Sequence, residues 1–221
     1  MDKNTTVKRR CGILFMIIGI ALVSGAIFIV GKNIYNEKKA GEYVDEFLSG
    51  VKSEIENNKN KFKDMDDVDK LIEDKDYNAL GAKYEYKEGM LVETIDEKEY
   101  IGIVDIPSAD ISLPVFYSFS YANIRMLPAR YSGSYSENNM VVAAHNYKRH
   151  FKTLLSLETD TEIIFTTIAG DEIHYLVTDI ERVMPDQVKY MTDNRDGEWD
   201  LTLFTCNSDG SYRCAVRCRE K

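Results

Sequence analysis

The amino-acid sequence predicts a mainly β domain, closed or nearly closed into a barrel, behind an N-terminal transmembrane helix and a charged helical stalk. Three observations carry this reading. From Glu99 onward, short runs rich in β-branched and aromatic residues alternate with turn-forming residues. Residues 11–31 are a run of 21 residues without a charge. Charge is segregated along the chain: residues 1–33 carry five basic residues and one acid, residues 34–100 carry 11 and 19, and residues 101–221 carry 12 and 17.

Taken in order, residues 1–10 form a basic tail, with Lys8, Arg9 and Arg10 directly before the apolar run. At about 1.5 Å per residue, a helix over 11–31 just crosses a ~30 Å hydrocarbon core. The basic cluster puts the N-terminus in the cytoplasm and everything after Lys32 outside. A cleaved signal peptide has a shorter apolar core, about 7–15 residues. Ser24-Gly25-Ala26 is weakly compatible with a cleavage site, but the apolar run continues to Val30. An uncleaved, single-pass anchor is therefore the preferred reading.

Residues 32–80 read as an extracellular helical stalk or linker. Tyr35, Val44, Phe47, Leu48, Val51 and Ile55 recur at loosely helical spacing, with Glu and Lys between them. The charged run 62–67 reads as a solvated spacer. Residues 81–221 form the β domain. Strands are predicted at 101–106, 111–115, 140–144, 162–167, 172–183, 201–205 and 212–218, with a mixed segment at 121–137. One or two helical turns fall at 151–157. Many short strands with few helices make a barrel, and one of this size buries its own core.

Composition closes off several functions. With 28 basic and 37 acidic residues the net charge is −9, which excludes the basic face of a nucleic-acid binder. An apolar share of 44% beside 29% charged residues excludes wholesale disorder and a multi-span membrane protein. Four cysteines are too few for a disulfide scaffold. No Cys-x-x-Cys and no paired His supports a metal site, and no cofactor motif is present.

The chemistry-bearing residues are few. His145 follows the apolar run Met140-Val141-Val142-Ala143-Ala144, where a strand gives way to a loop. His174 alternates with Ile173 and Tyr175 on the exposed face of a strand. His150 lies in the basic run Lys148-Arg149-His150 and reads as solvated. Cys206 ends an apolar strand and precedes the turn signal Asn207-Ser208-Asp209-Gly210. Cys214 and Cys218 read as small buried hydrophobes. A bridge between them is excluded, because four residues of strand span roughly 13 Å against ~6 Å between bridged Cα atoms. A hairpin folded at 207–211 returns Arg213 beside Cys206. Thiolate, imidazole and guanidinium are the nucleophile, the acid–base partner and the oxyanion cation of a thiol acyl-transfer site.

Thr202-Leu203-Phe204-Thr205-Cys206 resembles the Cys motif of the sortases, the membrane-anchored cysteine transpeptidases of Gram-positive bacteria. Arg213-Cys214-Ala215-Val216-Arg217 resembles the Arg strand of that family, and Val141-Val142-Ala143-Ala144-His145-Asn146 the strand ending in its catalytic His. Gly102-Ile103-Val104-Asp105-Ile106-Pro107 and Leu113-Pro114-Val115 resemble its opening strands. The likeness covers about residues 100–219.

The resemblance implies an eight-stranded sortase-type β-barrel with a surface-exposed catalytic domain. It implies that Cys206 attacks the carbonyl after Thr in a C-terminal Leu-Pro-x-Thr-Gly-like sorting signal of a secreted protein. His145 would protonate the leaving amine, and Arg213 would hold the substrate and stabilise the oxyanion. The acyl-enzyme would be released by an amine, such as that of a peptidoglycan precursor. The flanking residues Thr205, Asn207 and Asn146, with Val188 and Met191 of the substrate-facing loop 184–200, are the expected substrate contacts. Pilus assembly is disfavoured, since no Asp-Pro-aromatic lid precedes the barrel and no second span follows it. Arg217, on the same face as Arg213, is the alternative for the Arg role. Papain-like order, with Cys before His, does not fit, nor does a chymotrypsin-type turn with Gly beside the nucleophile. The reading from another class is an inactive membrane-tethered module that binds sorting peptides or a surface-protein partner.

Overall fold

The computed structural model describes residues 3–63, 83–194 and 197–221. The expected spacer from residue 64 to residue 80 lies outside the described residues. The chain divides into two compact units, Met1–Lys39 and Ala40–Lys221.

A single helix, α1 (Lys3–Lys63), opens the chain. Its first part is apolar on every side, and Phe15, Leu22, Phe28 and Ile29 are exposed. A helix without a polar face is built for lipid rather than water, and this one is long and apolar enough to cross a membrane.

The rest of α1 belongs to the second unit. Ala40, Val44, Val51, Ile55 and Phe62 form one buried stripe, four or seven residues apart, as one helix face requires. The helical spacing expected of the stalk is therefore present. It serves a docking face rather than a free spacer, and even Phe62, read as part of a solvated run, is buried. Between the apolar positions Asn58, also buried, donates to Glu93 Oε2 at 2.8 Å and to the Ile168 carbonyl at 3.0 Å. Its own carbonyl oxygen accepts from the Tyr84 hydroxyl.

Among the described residues ten strands follow: β1 (Tyr84–Lys87), β2 (Met90–Ile95), β3 (Lys98–Ile106), β4 (Ile111–Phe116), β5 (Ala129–Ser132), β6 (Met140–Ala143), β7 (Glu162–Thr167), β8 (Glu172–Val183), β9 (Leu201–Cys206) and β10 (Arg213–Glu220). Strands β3 to β10 close an eight-stranded barrel in the order β3-β4-β5-β6-β9-β10-β8-β7, with β7 pairing back onto β3. The β1–β2 hairpin extends the sheet from the start of β3. Two short helices, α2 (Asn123–Met126) and α3 (Val188–Thr192), and 3-10 turns over Pro107–Ala109 and Phe151–Ser156 complete the described elements around the barrel.

All seven predicted strands are present, and the 3-10 turn falls at the predicted helical turns. Strands β1, β2 and β5 were not anticipated. The first two carry Glu85, Lys87 and Glu93, which mask their alternation. Glu93 is nevertheless buried and meets the Lys83 ammonium at 2.5 Å. Gly102 makes the barrel possible at one tight point. Its φ of 154° and the approach of the Thr166 carbonyl leave no room for a side chain where the register of β3 shifts.

Candidate active site

Three adjacent strands set the site. Strand β6 runs parallel to β9, pairing Val141 with Thr202 and Ala143 with Phe204. Strand β10 runs antiparallel to β9, pairing Arg217 with Thr202, Ala215 with Phe204 and Arg213 with Cys206. Directly paired residues project to the same face of a sheet. The face therefore carries a row Val141–Thr202–Arg217, then a row Ala143–Phe204–Ala215. At the rim Cys206 and Arg213 come next, with His145 the following residue of matching parity beyond β6. The alternate residues, Val142, Leu203 and Val216, are fully buried and fill the barrel.

Chain geometry beyond β6 holds His145 in line. The Ala144 amide donates to the Phe204 carbonyl at 3.2 Å, and the Thr205 hydroxyl donates to the Ala144 carbonyl at 2.9 Å. These two bonds continue the β6–β9 ladder to the residue before His145. The His145 ring stacks on Tyr147 with centroids 5.0 Å apart. Its Nε2 is buried and finds no hydrogen-bond partner among the described residues, so no fixed bond occupies this nitrogen. Burial first, and the Arg125 guanidinium second, hold its pKa below the ordinary imidazole value. The ring is accordingly neutral at pH 7.

Cys206 is a free, half-buried thiol at the end of β9. The turn after it is braced from within. Asn207 donates to Asp209 at 2.5 Å and to Ser211 at 3.0 Å, and its side-chain oxygen accepts the Tyr212 amide at 3.1 Å. Arg213 donates to the Gly210 carbonyl at 3.2 Å, which anchors one guanidinium nitrogen at the turn.

The expected substrate contacts divide. Asn146 is half-buried next to His145. Asn207 is committed to the turn. Thr205 is buried on the other face, spent on the Ala144 carbonyl, a tie between strands instead of the expected substrate contact. Val188 opens α3 and is partly buried, and Met191 is buried in the core.

Two other expectations change. His150, read as solvated, is completely buried. The chain turns back after His145, so Lys148 and Arg149 stay exposed while His150 is tucked near Ala40 and Met126, which burial first, with lesser help from His145, makes hard to protonate: its pKa falls to about 4. Arg217 is not an alternative to Arg213, because its guanidinium is engaged two rows away with Glu181, Thr202 and the carbonyls of Tyr190 and Met191. Cys214 and Cys218 are buried free thiols, as expected, and burial raises both pKa values.

Sequence reasoning passed over an aromatic wall beside the thiol. Phe204 packs edge-on against Tyr131 at 5.3 Å, Tyr131 against Phe119 at 4.9 Å, and Phe119 against the exposed Tyr121 at 5.7 Å. The two-residue spacing of Phe204 and Cys206 signals their shared face; the reach of Tyr131 depends on the register shift in β5, which no local pattern reveals. Among the described residues, no group of three or more His, Cys, Asp or Glu is arranged to hold a metal ion.

A thiol, an unpaired neutral imidazole and a permanent cation on the rim of a closed barrel are the parts with which the cysteine transpeptidases work. A sortase-domain family model matches residues 104–221, more than half of the chain, and the chain belongs to the sortase family. Sortase A of Bacillus anthracis is 26% identical to it over 211 residues, 92% of this chain and 92% of that protein. The X-ray structure of sortase C from Clostridium perfringens SM101 shares the fold with a TM-score of 0.50 and 19% identity, covering 80% of this chain and 97% of that one.

Proposed function

We propose that this sortase cleaves a Leu-Pro-x-Thr-Gly-like sorting signal through a thioester on Cys206 and passes the protein to an amine acceptor. The observation that carries the proposal is the pairing of Arg213 with Cys206 at the rim where the extended β6 ladder delivers His145. Cys206 loses its proton to His145, and the thiolate adds to the carbonyl carbon after Thr. Arg213 offsets the charge on the carbonyl oxygen. The C–N bond breaks as His145 returns the proton to the departing amine, leaving the thioester. An incoming amine, such as that of a peptidoglycan precursor, adds to the thioester and gives its proton to His145. The C–S bond breaks, and the thiolate recovers its proton. No metal or organic cofactor takes part in this sequence.

The apolar part of α1 anchors the protein in the cell membrane as a single pass. The basic residues before it favour a cytoplasmic N-terminus and an extracellular catalytic unit. On this topology the partners are secreted proteins with a C-terminal sorting signal.

The full chain in detergent micelles, incubated with fluorogenic Leu-Pro-x-Thr-Gly peptides, tests the activity. Cleavage by wild type and none by Cys206→Ala is the expected result. Peptide binding without cleavage in the wild type would replace the enzyme with a tethered binding module.

A further inference from the structure

His150 is a buried titratable group that the transfer chemistry does not use. It stands shortly after His145 on a loop that folds back on itself. The Phe151 amide donates to the His145 carbonyl at 3.2 Å, and the His150 amide donates to the Tyr147 carbonyl at 2.9 Å. This fold-back sets the rings of His145, Tyr147 and His150 in a row. The His145 and Tyr147 rings lie 5.0 Å apart and 29° from parallel, and the Tyr147 and His150 rings 5.5 Å apart at 53°. His150, fully buried, ends the row against the backbones of Ala40 in α1 and Met126 at the end of α2. Beside it the Arg149 guanidinium reaches Asp45 of α1 at 2.6 Å.

Packing alone does not account for a histidine here. Among the described residues neither ring nitrogen of His150 has a hydrogen bond of good geometry. A buried polar group left so costs about 1–3 kcal/mol, which a leucine in the same space would not. What the imidazole adds to volume is a flat face for Tyr147. His145 in turn needs such a support. Its Nε2 has no hydrogen-bond partner among the described residues, so no polar contact at that nitrogen fixes the plane of the ring. A reacting group misplaced by about 1 Å can lose about 100-fold in rate.

We propose that His150 is a positioning residue for the reaction: wedged between α1 and α2, it seats Tyr147, and the Tyr147 ring sets the plane of the His145 imidazole. The proposal rests on the peptide-cleaving reading of the site, in which His145 carries the proton. It makes the docked part of α1 a support of the acid–base group, because Ala40 borders the slot that holds His150.

The full chain in detergent micelles is compared as wild type, His150→Ala, Tyr147→Ala and the double variant. The readouts are peptide cleavage kinetics and the proton NMR signals of the imidazole rings. The chain has three histidines, and His145→Gln assigns the signal of His145. Stacked on Tyr147, the His145 ring protons carry an upfield shift that needs no substrate. His150→Ala is expected to reduce that shift, as Tyr147→Ala does, and to lower kcat about tenfold with KM within about threefold of wild type. The double variant is expected to lose no more kcat than Tyr147→Ala alone, because residues that act through one another are not additive. His150→Phe, which restores a flat ring, is expected to recover most of the shift and of kcat. An unchanged His145 signal in folded His150→Ala would overturn the role, as would a loss confined to KM, additive losses in the double variant, or no recovery in folded His150→Phe. Where His150→Ala does not fold, His150→Leu, which fills the space without a flat ring, carries the test. If the wild type cleaves no peptide, the peptide-cleaving reading fails and the part of His150 in the reaction with it, whereas an unchanged His145 signal beside an active wild type overturns the role of His150 alone.

Discussion

Arg213 and Cys206 face each other across the β9–β10 ladder, so the cation and the thiol share one face at the barrel rim. Their proximity comes from backbone pairing, not from flexible side chains. Among the described residues the Gly210 carbonyl alone accepts a hydrogen bond from the guanidinium, which leaves most of its donors for a substrate oxygen. Arg213→Lys is expected to lower kcat/KM about 100-fold, since an ammonium loses the fork that meets an oxyanion from this position. Peptide cleavage kinetics check this, and near-wild-type activity would take the oxyanion role away from Arg213.

The pH profile follows from His145. Burial, and then Arg125, keep its imidazole below the ordinary value, so the imidazolium is a minor form at pH 7. The profile of kcat/KM is expected to be bell-shaped, and a flat profile from about pH 5 to 9 would contradict the account. Removing the neighbouring cation in Arg125→Ala favours the imidazolium. The His145 limb should therefore move to higher pH without reaching the ordinary value, because burial remains.

Acid lability should trace to His150. Its pKa is about 4 in the folded protein, against ~6.5 for an unfolded imidazole. The folded pKa is the lower one, so the unfolded chain binds the proton first. Stability is full above the unfolded value and falls as pH drops from there toward the folded value. Between pH 7 and 5 the loss attributable to this one group is about 2 kcal/mol. His150→Gln is expected to flatten the pH dependence of the urea midpoint over that range, and an unchanged slope would assign the lability elsewhere.

Asn58 ties α1 to the barrel through Glu93, Tyr84 and the Ile168 carbonyl, with little water in reach. Asn58→Ala leaves these buried partners unsatisfied and is expected to cost about 2 kcal/mol. Chemical denaturation measures it. A change within a few tenths of a kcal/mol would mean that the docked helix does not depend on this polar tie.

The sequence showed those parts of the fold whose signal is local. Short apolar runs identified the strands that lead to His145 and Cys206 and the one that begins at Arg213, and the turn residues after Cys206 announced the hairpin that aligns two of the three. Glu93 shows why the β1–β2 hairpin was missed: a carboxylate in a strand reads as a solvent-facing residue, and only the distant Asn58 and Lys83 make its burial tolerable. His150 was misread for the same reason, since its basic neighbours stay in water while it alone turns inward. Arg217 was recognised as sharing a face with Arg213, but its partners at Glu181, Tyr190 and Met191 come from other elements. Local spacing reveals which residues share a face; it does not reveal what closes over that face.

The most direct test is intact-mass spectrometry of the full chain in detergent micelles, acid-quenched soon after mixing with a Leu-Pro-x-Thr-Gly-like peptide. The account predicts an adduct equal to the peptide portion ending at Thr, attached at Cys206, cleared by an added amine and missing from Cys206→Ala. Folded protein with an alkylatable Cys206 thiol, but neither adduct nor cleavage across a varied set of sorting peptides, would contradict it.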